Sequence, residues 1–442
     1  MQDLFSGRFG RYKDSALTLG GLLGRFLFDK WGVSINHERY AGLLTEALGQ
    51  LKGPTMKIGQ ILATVPDMLP AEYAEAFLSL QSNAPPMGWL FVKRRMRSEL
   101  GESWEDFFET FSKEANFAAS LGQVHRATLK TGEVLACKLQ YPQMEEVVET
   151  DLRQLALFCK VYEKAFGGVM TASLQEEIKA RLQEELDYHQ EAQHLKWFQK
   201  ALEGEGAVQV PNFFPSLSTK RLLTLSWLEG HPFRWLESQD LALREFYAPV
   251  LFRAWYKPLY HFGLLHGDPH LGNYTVDPVG GKLNLLDFGC VRLFPAFVVE
   301  GILQLYRALQ SGSLTEAASA YEALGFEELD HEMIEALNLW ARFLYGPLLE
   351  DRVRPLEETF SGEPGKAVAG QVHEILRKKG GIKPPRFFVF LDRAAVGIGS
   401  ALIRLRVSLN WHKLFEELIE GFSPDEVASR QKALTEAPNV SQ

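Results

Sequence analysis

The chain is poor in cysteine. Three among 442 residues, Cys137, Cys159 and Cys290, give neither the even framework of a disulfide scaffold nor metal-binding spacing. They point to a reducing compartment, with Cys137 and Cys290 expected as small buried apolar residues. Long apolar runs are also missing. Ala16–Gly24 stops at Arg25, and Ala394–Ile403 lies between Arg393 and Arg404, short of the roughly 18 residues a membrane helix needs. Met1-Gln2-Asp3 lacks the basic start and apolar run of a secretion leader, so none is expected. An excess of positive charge is absent too: 47 Lys and Arg against 56 Asp and Glu leave −9, which argues against nucleic acid as a partner. The basic clusters (Lys93, Arg94, Arg95 and Arg97; Arg377, Lys378 and Lys379) read as solvated helix faces. No internal repeat or low-complexity tract breaks the chain. With 46% hydrophobic and 23% charged residues, it has the composition of a globular protein with a large core.

What is present is chemistry of one kind. Residues 266–289 read HGDPHLGNYTVDPVGGKLNLLDFG. Asp268 stands five residues before Asn273, and Asp287 opens an Asp-Phe-Gly. A kinase catalytic loop spaces its base and its magnesium-binding Asn in this way, and the Asp of the DFG supplies a second metal oxygen. Magnesium takes carboxylates, amide carbonyls and water, so Asn273 and Asp287 are the candidate metal ligands and Asp268 the candidate base. Between the two motifs, Val276 and Leu283–Leu286 read as short strands around a Gly280-Gly281 turn. Asp-Phe-Gly alone is a weak signal; the two motifs in order are a strong one.

The other half of such a site needs a strand lysine for the nucleotide phosphates and a helix glutamate to hold it. Leu135-Ala-Cys-Lys-Leu matches the Val-Ala-x-Lys strand and makes Lys138 the candidate. It follows a strand over Ala118–Ala127 and a Lys130-Thr-Gly-Glu turn. The phosphate lid preceding it, Asn116–His125, holds one glycine where kinases carry several.

That departure, with three further motifs, makes the chain resemble the UbiB/AarF family of atypical kinase-like proteins associated with ubiquinone biosynthesis. The motifs are Lys57-Ile-Gly-Gln60, Ala118-Ala119-Ser120-Leu-Gly122-Gln123-Val-His125 and Glu185-Leu-Asp187. The resemblance runs from about Gly53 to Phe294, and more faintly to Leu405. It implies that Glu191 partners Lys138, that residues 118–123 approach the nucleotide, and that Lys57 and Gln60 sit on a helical extension covering the site. Lys57 would face Glu185 and Asp187. From spacing alone, Asp187 and Glu191, four apart, share a helix face. The family's alanine triplet reads Phe117-Ala-Ala here, and the membrane segments of some bacterial members are not visible.

Two absences separate this chain from protein kinases. Gly267 replaces the Arg of His-Arg-Asp, and no Ala-Pro-Glu follows Asp287-Phe-Gly. Phosphorylation of polypeptides in trans is therefore not expected. The expected fold is α+β: a two-lobed, mainly helical protein-kinase-like fold with the N-terminal extension packed over the active site. Its parts are the extension (1–103), small lobe (104–228), helical large lobe (229–425) and tail (426–442). The expected activity is that of an ATPase or lipid- or small-molecule-directed kinase using ATP or ADP with Mg2+. The alternatives are a small-molecule phosphotransferase of the aminoglycoside or choline kinase type, and a nucleotide-gated scaffold. A quinone precursor or membrane lipid is the candidate acceptor. Apolar residues at 17–28 and 387–405 are the candidate membrane-facing patch. The expected place is the cytoplasm or the periphery of the inner membrane.

Overall fold

The computed structural model describes residues 87–119, 121–142, 144–146, 148–149, 152–153, 179–180, 182–360, 368, 370–372, 374–375 and 385–436. It divides into two compact units, one of residues 1–190 with 213–227, the other of 191–212 with 228–442. Lys57, Gln60, Ser120, Cys159 and the apolar stretch 17–28 lie outside the described residues.

The first unit is built on an antiparallel sheet. Its strands are β1 (Phe108–Phe111), β2 (Phe117–Ala118), β3 (Gly122–Leu129), β4 (Val134–Gln140) and β6 (Leu222–Ser226). The order is β1-β3-β4-β6, with β2 on β3 beside β1. The Lys130–Glu133 turn forms as expected, with Gly132 at φ +96°, where only glycine is unstrained. Side chains alternate across β4. Leu135, Cys137 and Leu139 enter a core with Val92 and Met96 of helix α1 (Trp89–Leu100), Trp104 and Phe108. Lys138, of opposite parity, leaves on the other face. Each such buried apolar side chain stabilises the fold by about 1.5–3 kcal/mol.

Arg95 departs from the solvated helix face expected of it. It lies 3.1 Å from Glu99, and its guanidinium donates to the carbonyls of Gln140 and Tyr141. Both charged side chains are nearly inaccessible, at 9% and 5%. The arginine thereby caps the carbonyls at the end of the lysine strand.

The second unit is mainly helical. Helix α2 (Tyr188–Ala201) belongs to it from Glu191 onward, and residues 191–212 therefore lie outside the expected small lobe. The reason is local pairing: β5 (Val208–Gln209) runs parallel to β10 (Lys282–Leu285), and Phe198 packs on His266 and Phe288. A sheet of order β5-β10-β9-β7 uses β9 (Tyr274–Asp277) and β7 (His231–Pro232). Helix α3 (Leu241–Phe262) starts where Asp240 accepts the Leu243 N–H and ends at Gly263, φ +68°. It delivers the chain into β8 (Leu264–His266), which pairs with β11 (Val291–Leu293). Helices α4 (Ala296–Ser311), α5 (Leu314–Ala323), α6 (His331–Leu349), α7 (Glu357–Phe360), α8 (Arg386–Arg404), α9 (Trp411–Ile419) and α10 (Pro424–Thr435) complete the unit, with β12 (Arg354–Pro355) and β13 (Ser408–Leu409) paired between them.

The residues after Ser423, which the sequence offers as a short helix with a loose polar end, form α10 to Thr435. Val427 and Leu434 of α10 are buried, and Gln431 donates to the Phe262 and Phe294 carbonyls. On α8, Ala394, Ile398, Ala401 and Leu402 are buried and Phe387 and Phe388 pack on Phe294 and Phe326, while Val396 stays exposed.

Candidate active site

In the first unit Lys138 extends from β4 with its Nζ 5.4 Å from the centre of the Tyr188 ring. Tyr188, 3% exposed, was not singled out in the sequence; its place directly after Glu185-Leu-Asp187 was the available signal. Its hydroxyl would lie 3.0 Å from a Cβ on Gly122, which would also overlap the Leu139 carbonyl oxygen. Glycine at 122 is therefore set by close approach of the strands, at an ordinary negative φ. Ala118 ends β2, and Ala119 and Gly122 exchange backbone hydrogen bonds of 2.9 and 3.4 Å. The turn is thus closed by its own amides, unlike an open glycine-rich lid.

Gln123 corrects an expectation. Lys138 pairs with Val124, so Gln123 projects to the opposite, core face of the sheet. It is fully buried, and both ends of its amide are used. Oε1 accepts the Met87 N–H at 2.5 Å, and Nε2 donates to His125 Nε2 at 2.7 Å. His125 Nδ1 in turn donates to the Ser112 carbonyl, 2.8 Å. This set of bonds requires a neutral imidazole, and burial lowers its pKa in the same sense. Gln123 thus backs the 119–122 turn from the core side of the sheet, on the face opposite Lys138. Burial likewise pushes the Cys137 thiol up to about 12, which leaves it an inert apolar residue. Cys290, by contrast, is only half-buried.

Asp187 is also corrected. It precedes α2 and caps it, accepting the His189 N–H at 3.0 Å. It therefore shares no helix face with Glu191. Glu185 ends the preceding helical turn, and the Leu186 carbonyl between them accepts Gln140 Nε2 at 3.1 Å.

In the second unit the metal motifs meet. Asp268 and Asn273 are joined directly: Asn273 Nδ2 donates to Asp268 Oδ2 at 3.0 Å and to its carbonyl at 3.3 Å. That commitment of the amino end turns the amide oxygen into the donor a cation would use. His270 N–H donates to Asp268 Oδ1, and a 3-10 turn over Leu271–Asn273 closes the loop. Asp287 is oriented by the Gly289 N–H on its Oδ1, 2.9 Å.

His266, absent from the candidate residues although the motif spells it out, ties the two segments together. Its Nε2 donates to the Asp287 carbonyl at 2.6 Å, and its Nδ1 accepts the Asp268 N–H at 3.3 Å. The ring is buried among Phe198, Trp255, Tyr274 and Phe288. Glu191, 6% exposed, belongs to this group as well: a Cβ on Gly289 would stand 3.2 Å from Asp287 Oδ1 and 3.9 Å from Glu191 Oε2. Among the described residues no three His, Cys, Asp or Glu gather as a metal cluster. An amide and a carboxylate oxygen are donors that would suit magnesium, with water or phosphate oxygens able to complete its shell.

Gly267, which replaces the arginine of protein kinases, is held by packing. Its N–H donates to the Cys290 carbonyl at 2.6 Å, and a Cβ would lie 2.7 Å from Cys290 Sγ. No side chain is accommodated there without displacing the residue that follows Asp-Phe-Gly.

Comparison with known proteins agrees with this geometry. Residues 79–318, more than half of the chain, match the ABC1 atypical kinase-like domain. The chain is 27% identical over 391 residues to the atypical kinase COQ8, mitochondrial, of Saccharomyces cerevisiae, covering 85% of this chain and 75% of that one. It is 31% identical to the chloroplastic protein ACTIVITY OF BC1 COMPLEX KINASE 8 of Arabidopsis thaliana, over 68% of this chain and 43% of that longer one. The solved structure of Rv3197 from Mycobacterium tuberculosis, in complex with erythromycin, superposes with TM-score 0.61 at 25% identity, covering 87% of this chain and 97% of that one. Among the described residues no helix is long and apolar enough to cross a membrane. The fold is kinase-like α+β, and the chain belongs to the ABC1 atypical kinase-like family, in which the UbiB/AarF resemblance had placed it.

Proposed function

We propose that this protein binds a magnesium–adenine nucleotide and acts as an ATPase or lipid- or small-molecule-directed kinase in quinone-lipid biosynthesis, and not as a protein kinase in trans. The observation that supports it most is the His266 bridge, which joins the loop bearing Asp268 and Asn273 to the segment bearing Asp287. Asn273 Oδ1 and the Asp287 carboxylate would hold the ion, whose chemistry is to offset charge on the phosphate oxygens. Asp268, fixed by Asn273, orients an attacking hydroxyl or water. Lys138 holds phosphate oxygens, with Glu191 as its partner in the family's pattern. Lys57 and Gln60 belong to the extension that the family places over the site. The link to ubiquinone rests on that family resemblance.

Asp287→Asn tests the reading. Wild-type protein gains thermal stability with Mg-ADP, by RT ln(1 + [L]/Kd), and the variant loses the magnesium-dependent part. An equal shift in both would refute the assignment. The erythromycin bound by the structural relative favours including macrolides beside quinone precursors in the acceptor panel, as a second reading of the same site as a small-molecule phosphotransferase.

A further inference from the structure

Glycine inside a helix is destabilising relative to alanine, so one in the middle of a packed helix calls for a reason. Gly397 sits midway along α8. The helix is held at both ends. Near its start, Asp392 accepts the Trp340 Nε1–H of α6 at 2.6 Å, and Phe387 and Phe388 pack on Phe294 and Phe326. Past its end, Arg244 of α3 donates to the Leu405 carbonyl at 2.7 Å. Between these anchors the helix backbone meets the ring of Pro269. A Cβ on Gly397 would overlap Pro269 Cγ and stand 2.6 Å from its Cβ. Pro269 is joined through the backbone to Asp268, and Asp268 to Asn273 through its side chain.

We infer that Gly397 is a positioning residue: its missing side chain forms a seat for the Pro269 ring, and through that ring α8 fixes the loop that carries Asp268 and Asn273. The inference rests on the phosphoryl-transfer reading and deepens it. Helix α8 lies more than a hundred residues beyond the loop in sequence, and Gly397 reaches it through the Pro269 ring. It acts by setting where Asp268 stands relative to the acceptor, and displacement of a catalytic group by about 1 Å costs on the order of a hundredfold in rate. The ring of Pro269 suits the seat because its fixed φ removes one degree of freedom from the loop.

The test is steady-state ATP hydrolysis by the full chain with Mg2+, measured as phosphate release, beside thermal melts with and without Mg-ADP. Gly397→Ala is expected to lower kcat by tenfold or more while the Mg-ADP thermal shift is retained. Pro269→Ala, which empties the seat without a clash, is expected to lower kcat also. The double variant should be no slower than Pro269→Ala alone, because the two residues act through one contact. Wild-type kcat in a folded Gly397→Ala protein would overturn the inference, as would independent, multiplying losses. If Gly397→Ala alone does not fold, recovery of the fold in the double variant supports the contact, and its failure overturns it. Absence of both phosphate release and the Mg-ADP shift in wild type would instead remove the phosphoryl-transfer reading, and the positioning role with it.

Discussion

His266→Phe isolates the bridge between the two segments proposed to hold the metal. The substitution keeps an aromatic ring in the pocket of Phe198, Trp255, Tyr274 and Phe288, whose ring centres lie 5.7 to 6.4 Å away. It removes the donor to the Asp287 carbonyl and the acceptor of the Asp268 N–H. His266 is 2% exposed, and both of its bonds are part-buried. Leaving a buried polar group unpaired costs about 1–3 kcal/mol, so two part-buried groups predict a loss in the lower half of about 2–6 kcal/mol. Urea unfolding of the variant measures it directly. The same change frees the Asp268 loop from the Asp287 segment, so the magnesium concentration for half-maximal nucleotide turnover should rise by about tenfold, equivalent to about 1.4 kcal/mol. If stability stays within about 0.5 kcal/mol of wild type, the range of an ordinary surface substitution, and the magnesium dependence is unchanged, the bridge is not what joins the segments.

Arg95→Met removes one of two arginines beside Glu99, which keeps Arg221 at 3.2 Å and the Thr219 hydroxyl at 2.7 Å, and it takes the arginine donor away from the Gln140 and Tyr141 carbonyls; a loss of about 1–3 kcal/mol is expected, read by urea unfolding. Asp392, between α8 and α6, has its pKa raised to about 6, chiefly by burial. A raised folded-state value means the stabilising, neutral form is present below the unfolded carboxylate pKa and is lost as pH rises through about 6. Asp392→Asn should therefore gain on wild type by up to about 3 kcal/mol between pH 4 and pH 7, and parallel stability curves over that range would count against it.

What could be read from the sequence was what is written in local chemistry. The Lys130–Glu133 turn and the hairpin between β9 and β10 follow from their glycines, and at the latter Asp277 Oδ1 accepts the Val279 and Gly280 N–H groups. The Asp268–Asn273 pair follows from spacing, since five residues in a tight loop bring the two side chains together. What could not be read depends on register or on distant contact. Gln123 stands next to glycine in a motif, yet its parity against Lys138 is decided by strand pairing and sends it to the core. Asp187 looks helical by spacing, but a short polar residue beside a free helix N-terminus is more stable as a cap. Arg95 lies in a basic run, and only the fold brings the carbonyls of Gln140 and Tyr141 to it, 45 and 46 residues on.

The packing at Gly267 carries a lesson for protein engineering. A designer wishing to place an arginine at 267 would have to move Cys290 with it, because the incoming Cβ meets its sulfur at 2.7 Å and its carbonyl oxygen at 3.1 Å. A smaller residue at 290 relieves the first contact, and the backbone must yield a few tenths of an ångström for the second. Residues 267 and 290 are thus coupled positions, to be varied as a pair in any redesign of this loop.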